Sequence, residues 1–410
     1  MEDEGDRKKA VIKVGQELLE LLSSSEEIEL EGVDLEVEQL EIALQPATVA
    51  TAPQKPSTLQ PPLVALPSSL KSREILEAAF TPPVVHYPGQ IVEVKIGATK
   101  SEGGTRGKSL VIGGEKAPTF YHFGNPSPYP PVVACDVFDM EFPLPKAIKM
   151  HIRDVMGSPT EWARRCVDKF GAEMITLQLT SIDPKMKDTP AKEAAKTVED
   201  VLQAVDVPLA VGGCGDPVKD LAVFKKVAEV AEGERLLISS VSPWMDTKDA
   251  AKTIKKHGHV ALALSGMDMN EARELNRTLY SVLPREQIVM DTSTASLGAG
   301  LEFTYTLMAR IRLAALRGDH ELQHPMSSGS TNAWFAKESW KKMDPQWEPR
   351  ELRGPLWETI TALTGLVAGV DYFMMMHPAA VKTIKEVIQR LAKRRIDESA
   401  DMADWVSLKI

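Results

Sequence analysis

A polar loop in the second half of the chain carries the groups best suited to hold a ligand. It runs from Asp291 to Gly300 as DTSTASLGAG, with a carboxylate, several hydroxyls and two glycines. The apolar run Ile288–Met290 precedes it, and apolar residues recur at helical spacing from 301 to 315 after it. A loop between a buried strand and a helix N-terminus presents backbone N–H groups and the positive end of the helix dipole. A binding loop and an ordinary strand-to-helix turn both fit this pattern.

Similar strand–loop–helix units recur along the chain. Buried strands are predicted at Val132–Val137, Met174–Leu179, Pro208–Gly212, Leu236–Val241, Val260–Leu264, Ile288–Met290, His324–Ser328 and Val370–Met375. Helices are predicted between and after them, at 159–170, 189–204, 217–230, 247–257, 269–282, 299–317, 332–342 and 378–393. This alternation predicts an α/β fold with a parallel sheet, and eight units predict closure into a TIM (βα)8 barrel. A doubly wound open sheet is the competing fold, but the sequence lacks the G-x-G-x-x-G fingerprint that such sheets often carry.

The predicted carboxyl ends of these strands, where a barrel bears its function, carry small polar side chains rather than general bases. No carboxylate triad suited to a metal is evident in the sequence. The three cysteines, Cys135, Cys166 and Cys214, are too far apart for a zinc site or an iron–sulfur cluster. We therefore predict no catalytic residue and no metal site. His377 follows a predicted strand, so its side chain could either face the site or point away from it.

Charge divides the chain into two parts. Residues 1–45 hold 14 acidic and 4 basic residues, so they account for the whole net charge of −10, and the remainder is neutral. A nucleic-acid-binding protein would show a basic face, so that class is not favoured. No apolar run is long enough to span a bilayer. Unpaired cysteines and the lack of a secretory signal favour the cytoplasm.

These patterns predict four regions. Residues 1–45 are expected to form a small acidic α+β module, or a partly ordered tail, and residues 46–72 a stiff Pro-rich linker. Residues 85–395 are the barrel, in which a hairpin at 90–114 covers one mouth, and residues 396–410 are a tail. Residues 333–357 hold four of the seven tryptophans among interleaved basic residues. They fit either an irregular insertion folded back on the barrel or a protein interface.

Five segments together resemble one known family. They are the hairpin sequence GGTRGKSLVIGG, the strand VVACDVFDM, the loop DTSTASLGAGLEF, the segment RGPLWE and the acidic N-terminus. The family is the small subunit of the corrinoid iron–sulfur protein, whose archaeal form is the delta subunit of the acetyl-CoA decarbonylase/synthase complex. The resemblance covers residues 85–395, and less specifically the N-terminal module.

The resemblance implies a TIM barrel that forms a heterodimer with a larger gamma subunit, beside the other subunits of the complex. That partner would carry the iron–sulfur cluster and hold the corrinoid, while this chain covers the corrinoid and supports methyl transfer from a tetrahydropterin to the acetyl-CoA-forming metal centre. This chain itself would hold no cluster. Its expected contacts with the corrinoid (cobamide) are Asp136, Asp139, Asp291, Thr294, Gly298, Gly300 and Asn332. Glycines let a flat ring approach, and the polar side chains can bond its amides.

Two alternatives remain from the sequence. A pterin-dependent methyltransferase has a similar barrel and would bind the pterin in its own mouth. A structural subunit that holds the complex together would use the acidic module and the Trp-rich segment as contact surfaces. In the favoured interpretation the chain is an auxiliary subunit of one-carbon metabolism, because methyl transfer to cobalt requires positioning and shielding more than acid–base chemistry.

Overall fold

Eight parallel strands close into a barrel in this protein. The computed structural model describes residues 84–121 and 127–392. Within that part, the closed sheet and its alternating helices confirm the predicted TIM (βα)8 fold. The predicted acidic module (1–45), the Pro-rich linker (46–72) and the tail (396–410) lie outside the described residues.

The strands follow the predicted order. An antiparallel hairpin comes first, formed by β1 (Val94–Ile96) and β2 (Leu110–Ile112). The barrel strands are β3 (Val132–Phe138), β4 (Met174–Gln178), β5 (Leu209–Gly212), β6 (Leu237–Val241), β7 (Val260–Leu264), β8 (Ile288–Asp291), β9 (Met326–Gly329) and β10 (Tyr372–Met375). Each pairs with its neighbours in sequence, and β10 pairs with β3 to close the ring.

Helices surround the barrel. They are α1 (Lys146–Ile152), α2 (Pro159–Asp168), α3 (Ala191–Ala204), α4 (Pro217–Val230), α5 (Thr247–His257), α6 (Met269–Tyr280), α7 (Leu301–Leu316), α8 (Arg350–Ala368) and α9 (Pro378–Ala392). Seven of the predicted helices are confirmed within two residues at each end, whereas α1 and α8 were not predicted. None of the helices among the described residues has the length and apolarity that a membrane crossing requires.

Carboxylates that follow the strands begin several of these helices. Asp216 accepts hydrogen bonds from the backbone N–H groups of the first turn of α4, and Asp268 does the same for α6. Aspartate at this position satisfies donors that have no partner within the helix. These two side chains therefore serve the fold.

The hairpin closes the amino end of the barrel. Val94 and Ile96 of β1 and Ile112 of β2 belong to the same buried cluster as the inward-facing residues of the barrel strands. The backbone N–H of Gly97 also donates to the carbonyl of Arg235, just before β6, at 2.8 Å. The hairpin covers one mouth of the barrel, as predicted. The opposite mouth, at the carboxyl ends of the strands, is not covered by it.

A buried ion triad holds the same end together. Arg312 of α7 lies between Glu115, which follows the hairpin, and Asp371, which precedes β10. Its nitrogens lie 3.2 Å and 2.5 Å from the two carboxylates, and all three side chains are almost fully buried. Burial raises the pKa of Glu115 to about 8, and the neighbouring Asp371 carboxylate adds to the rise.

The helix predicted at 332–342 is wrong. This region forms short 3-10 turns at Ser330–Phe335 and Lys337–Ser339, and the true helix is α8, further along the chain. The buried Arg353 of α8 donates to the carbonyls of Glu338, Lys341 and Trp347. Those carbonyls are therefore bound by a side chain from another element rather than by a local helix.

Candidate functional site

A cavity of about 870 Å³ opens at the carboxyl ends of the barrel strands. Its wall combines polar side chains from the strand ends with apolar and aromatic ones from the loops. The residues that line it include Asp136, Gln178, Thr180, Asp220, Ser239, Ser240, Ser242, Asp291, Thr331, Asn332, Phe138, Phe142, Trp244, Met245, Trp334, Phe335, Trp340, Met374 and Met376. A concave, largely apolar site with a few convergent polar groups is typical of small-molecule binding.

Asp136 of β3 provides a buried carboxyl in this wall. The Thr331 hydroxyl donates to its Oδ2 at 2.6 Å, whereas Oδ1 has no hydrogen-bond partner among the described residues. The side chain is only 3% exposed. Burial raises the pKa of Asp136 to about 7, although the nearby hydroxyls of Thr331 and Thr176 oppose the rise. An incompletely bonded buried carboxyl is costly, and such groups concentrate at functional sites.

Asp291 ends β8 and lines the same cavity. Its Oδ1 accepts the backbone N–H of Ser293 at 2.8 Å, and burial raises its pKa. Ser293 has a φ of +62°, a conformation that is uncommon outside glycine. Its hydroxyl donates to the carbonyl of Ser265 after β7, at 3.1 Å. Ser293 is therefore hydrogen-bonded both to the end of its own strand, β8, and to the residue that follows the neighbouring strand, β7.

Asp139 is among the expected ligand contacts but is not part of the cavity wall. It lies just past the end of β3 and accepts hydrogen bonds from the backbone N–H of Ser181 at 2.9 Å and from the hydroxyl of Thr180 at 3.2 Å. The Ser181 hydroxyl also donates to it. Asp139 therefore joins the loop after β3 to the turn after β4 and supports the wall from behind.

Thr294 and Asn332 are brought together by the fold. The Thr294 hydroxyl donates to Ser328 Oγ at 3.2 Å and accepts the backbone N–H of Gly329 at 3.1 Å. Its carbonyl accepts Nδ2 of Asn332 at 2.9 Å. Asn332 lines the cavity, whereas Thr294 is buried behind it.

The two loop glycines, Gly298 and Gly300, have left-handed backbones with φ of +78° and +101°. Neither lines the cavity. A Cβ placed on Gly298 would find only the indole nitrogen of Trp357, at 3.9 Å, so space around it is ample. Backbone conformation alone is therefore a sufficient reason for glycine at both positions.

His377 does not face the cavity. Its ring stacks against Trp334 with centroids 5.9 Å apart and meets His151 edge-on at 4.9 Å. Burial lowers the pKa of His377 to about 3, so the ring is neutral. Its backbone N–H donates to Glu358, which also accepts the N–H of Met376 at 2.6 Å.

Glu358 was missed by the sequence analysis. This α8 carboxyl is fully buried, and burial raises its pKa to about 8. It fixes the loop after β10, where Met376 lines the cavity. The sequence feature that could have pointed to Glu358 is the segment RGPLWE, residues 353–358, which ends with it. Within it, Arg353 organises the Trp-rich turns, Gly354 leaves room for the Trp334 ring, and Glu358 holds the strand end.

Two aromatic side chains at the rim of the cavity, Trp244 and Phe335, were also not singled out from the sequence, whereas Trp340 lies in the Trp-rich segment that was. Trp244 after β6 is 66% exposed and Phe335 after β9 is 76% exposed, and both line the mouth together with Trp340. Large apolar side chains exposed together around a cavity mark a surface that receives a ligand or a partner. The sequence feature that could have revealed these rim residues is their position shortly after predicted strands. In the described residues, no group of three or more His, Cys, Asp or Glu side chains is arranged to hold a metal ion.

Fold and mouth together define the class: a closed (βα)8 barrel whose carboxyl-end cavity has an exposed aromatic rim. Comparison with known sequences gives the family. The profile described as CO dehydrogenase/acetyl-CoA synthase delta subunit matches residues 93–344. The chain belongs to this family, as the resemblance of its motifs predicted.

Its relatives match over most of its length. The chain is 48% identical over 376 residues to the acetyl-CoA decarbonylase/synthase complex subunit delta of Archaeoglobus fulgidus, covering 90% of this chain and 82% of that protein. It is 45% identical to the protein of the same name from Methanocaldococcus jannaschii, covering 95% and 96%. Among solved structures, a dihydropteroate synthase from Xanthomonas albilineans with 4-aminobenzoic acid overlaps 65% of this chain and 94% of its own, with 13% identity and a TM-score of 0.45.

Proposed function

We propose that this chain is the delta subunit of a cytoplasmic acetyl-CoA decarbonylase/synthase complex and covers a corrinoid held by a larger gamma subunit. The observation that carries the proposal is the mouth itself, a cavity of about 870 Å³ with exposed aromatic side chains at its rim. The cavity is large and mostly apolar, with a few polar groups, so it could receive one face of an amphipathic macrocycle that a partner subunit holds. Family membership over nearly the whole barrel supports the same role.

The residues of this chain would position and shield the corrinoid. Of the seven expected contacts, Asp136, Asp291 and Asn332 line the cavity and remain the proposed contacts, while the other four shape the loops behind them. The incompletely bonded Asp136 carboxyl and the Asn332 amide can bond the peripheral amides of the ring. When bound, the corrinoid supplies a cobalt that accepts and donates a methyl group. Trp244, Phe335 and their neighbours would exclude water around it.

The contact with gamma is tested by changing the rim. Trp244→Ser and Phe335→Ser remove exposed side chains, so the melting temperature of the chain should stay the same. We expect the double variant to bind the corrinoid-loaded gamma subunit at least about tenfold more weakly. Val230→Ser, on a partly exposed residue at the far end of α4, is the matched control. Unchanged affinity of the double variant for the loaded gamma subunit would contradict the proposal.

A second candidate function is a methyltransferase that binds a tetrahydropterin in its own mouth. The buried Asp136 carboxyl favours it, because such a group can bond the N–H donors of an amino-heterocycle. The two candidates differ in what the isolated chain binds. Stoichiometric binding of a tetrahydropterin to the full chain alone, with no preference for the corrinoid-loaded gamma subunit over the empty one, would favour this second function.

A contribution to the architecture of the complex is supported by a different surface. Leu352, Leu356, Ile360 and Val367 are exposed along α8 at roughly helical spacing. An apolar stripe of this kind is suited to contact with further subunits. Replacing Leu356 and Ile360 together by serine should release the chain from the full complex and leave its pairing with gamma intact. Loss of the gamma pairing instead would place that partner on α8.

A further inference from the structure

The charge of the mouth is one-sided. Among the described residues that line the cavity, three are aspartates (Asp136, Asp220 and Asp291) and none is lysine, arginine or histidine. All three carboxyls are buried, and burial raises the pKa of each. An anion in such a cavity would face carboxyl groups without a compensating cation, in surroundings where charges interact far more strongly than in water.

Two of the three carboxyls are already used by the protein. Asp220 accepts the backbone N–H groups of Cys214 at 2.8 Å and Gly215 at 3.0 Å. Asp291 accepts the backbone N–H of Ser293. Asp136 differs, because Thr331 fixes its Oδ2 while Oδ1 is an acceptor with no partner in the part of the chain that the structure describes.

A ligand that supplied a donor to this acceptor would remove an energetic cost that the free protein bears. A buried acceptor left without a donor costs about 1–3 kcal/mol, and a charged one costs more. A neutral N–H donor satisfies it without bringing a second charge into the cavity. A carboxylate in the same place has no hydrogen to donate and would be repelled.

We propose that the mouth selects its ligand by charge: it receives a neutral carboxamide arm of the corrinoid, whose N–H group donates to Asp136, and it rejects a carboxylate in that position. This inference rests on the proposed function and deepens it. The barrel then recognises the periphery of the macrocycle as well as shielding its face. The class of ligand group is a primary amide, the group that a corrin ring carries in place of free acid at its edge.

Chemically edited corrinoids provide the test. The gamma subunit is loaded with cobalamin or with one of its b-, d- or e-monocarboxylic acids, in which one amide arm has become a carboxylate. The affinity of the full-length chain for each loaded gamma subunit is then measured by isothermal titration, which requires no turnover. The titration is done at about pH 8, where Asp136, whose pKa burial raises to about 7, is mostly ionised. We expect at least one monoacid to weaken binding by about tenfold or more relative to the amide parent.

Asp136→Asn should relieve that penalty, because it removes the opposing charge and retains the shape of the side chain. The variant is expected to bind the disfavoured monoacid within about threefold of the parent corrinoid. Asp216→Asn is the matched control. Asp216 lies next to Gly215 of the mouth but caps α4, and asparagine caps a helix equally well, so its loss of charge should leave the penalty in place.

Three outcomes would overturn the inference. The first is that every monoacid binds the wild-type chain as tightly as the parent, which needs no variant to fold. The second is that Asp136→Asn weakens all corrinoids by one common factor, and the third is that Asp216→Asn relieves the penalty equally. Failure of the proposed function looks different, because the chain would then show no preference for a loaded gamma subunit over an empty one.

Discussion

The side-chain amide of Asn332 donates to the backbone carbonyl of Thr294 at 2.9 Å, joining the turn after β9 to the loop after β8. Asn332 lines the mouth, and Thr294 in turn bonds Ser328 and Gly329 behind it. One side of the cavity wall is therefore held by hydrogen bonds between two neighbouring strand ends. Its shape should depend on this contact before any ligand arrives.

Changing Asn332 to Asp tests the contact. The substitution keeps the size of the side chain but sets a carboxylate oxygen against the Thr294 carbonyl, so we expect the free energy of unfolding to fall by about 1–3 kcal/mol. Asn332→Ala, which removes the donor without adding repulsion, should cost about 1 kcal/mol. Urea denaturation of both variants measures the difference. Equal stability of the Asp variant and the wild type would show that the hydrogen bond does not hold the wall.

The buried triad at the closed end of the barrel predicts a larger effect. Arg312→Met leaves the Glu115 and Asp371 carboxyls buried without their cation. Breaking a buried ion pair from one side typically costs about 3–5 kcal/mol. We expect the melting temperature to fall by many degrees, measured by calorimetry. Arg273→Met, at a partly exposed pair with Asp319, is the control and should cost far less.

Glu115→Gln within the same triad should depend on pH. Burial raises the pKa of Glu115 to about 8 from a usual value of 4.5, so the folded state holds its proton longer than the unfolded chain does. The wild type should therefore lose stability as pH rises from about 4.5 to about 8. The glutamine variant has no proton to lose, so its effect should be nearly neutral near pH 4.5 and increasingly stabilising toward pH 9. An equal loss of stability at both pH values would contradict the raised pKa.

The barrel itself was predictable because buried parallel strands form short apolar runs separated by amphipathic helices. Part of the mouth was predictable as well. Asp136 lies within β3, where side chains alternate, so it shares the inner face with Val132 and Ala134. Asp139 lies beyond Phe138, the last residue of the strand, where alternation no longer applies, and its orientation could not be derived.

Long-range contacts account for what sequence patterns missed. Residues 332–342 have an apolar pattern that resembles a helix, but Arg353, which follows them in the chain, binds two of their carbonyls, and the chain there forms short turns. Glu358 bonds the end of β10, 18 residues further along. Neither interaction leaves a local periodicity, because a single polar side chain carries each of them.

Asp136→Asn should also change how stability depends on pH. Burial raises the pKa of Asp136 to about 7 from 3.8, so the unfolded chain releases this proton before the folded protein does, and stability falls as pH rises through that interval. Titratable groups that interact with it are Tyr372 of β10, Glu358 of α8 and the adjacent Cys135 of β3. One unit of pKa shift corresponds to about 1.4 kcal/mol, so the asparagine variant should gain stability relative to wild type between pH 5 and pH 8, by an amount on the order of a few kcal/mol at most.

The measurement is the unfolding free energy in urea at several pH values. Asp216→Asn, on the exposed cap of α4, should leave the pH dependence of the wild type unchanged. A parallel pH dependence for Asp136→Asn and wild type would show that the carboxyl ionises normally in the fold, and that the mouth is better solvated than its burial indicates.

Gly298 allows the need for backbone freedom to be separated from the need for space beside a ligand. Its φ of +78° is unfavourable for a β-branched residue and tolerable for asparagine, and a Cβ there would meet nothing closer than 3.9 Å. We expect Gly298→Val to lower the unfolding free energy by about 1–3 kcal/mol and Gly298→Asn to cost less than about 1 kcal/mol. Both variants are also titrated with the corrinoid-loaded gamma subunit. Because Gly298 does not line the cavity, the asparagine variant should bind within about twofold of wild type. Binding weakened tenfold or more with stability unchanged would instead mean that the loop approaches the ligand so closely that only glycine leaves it room.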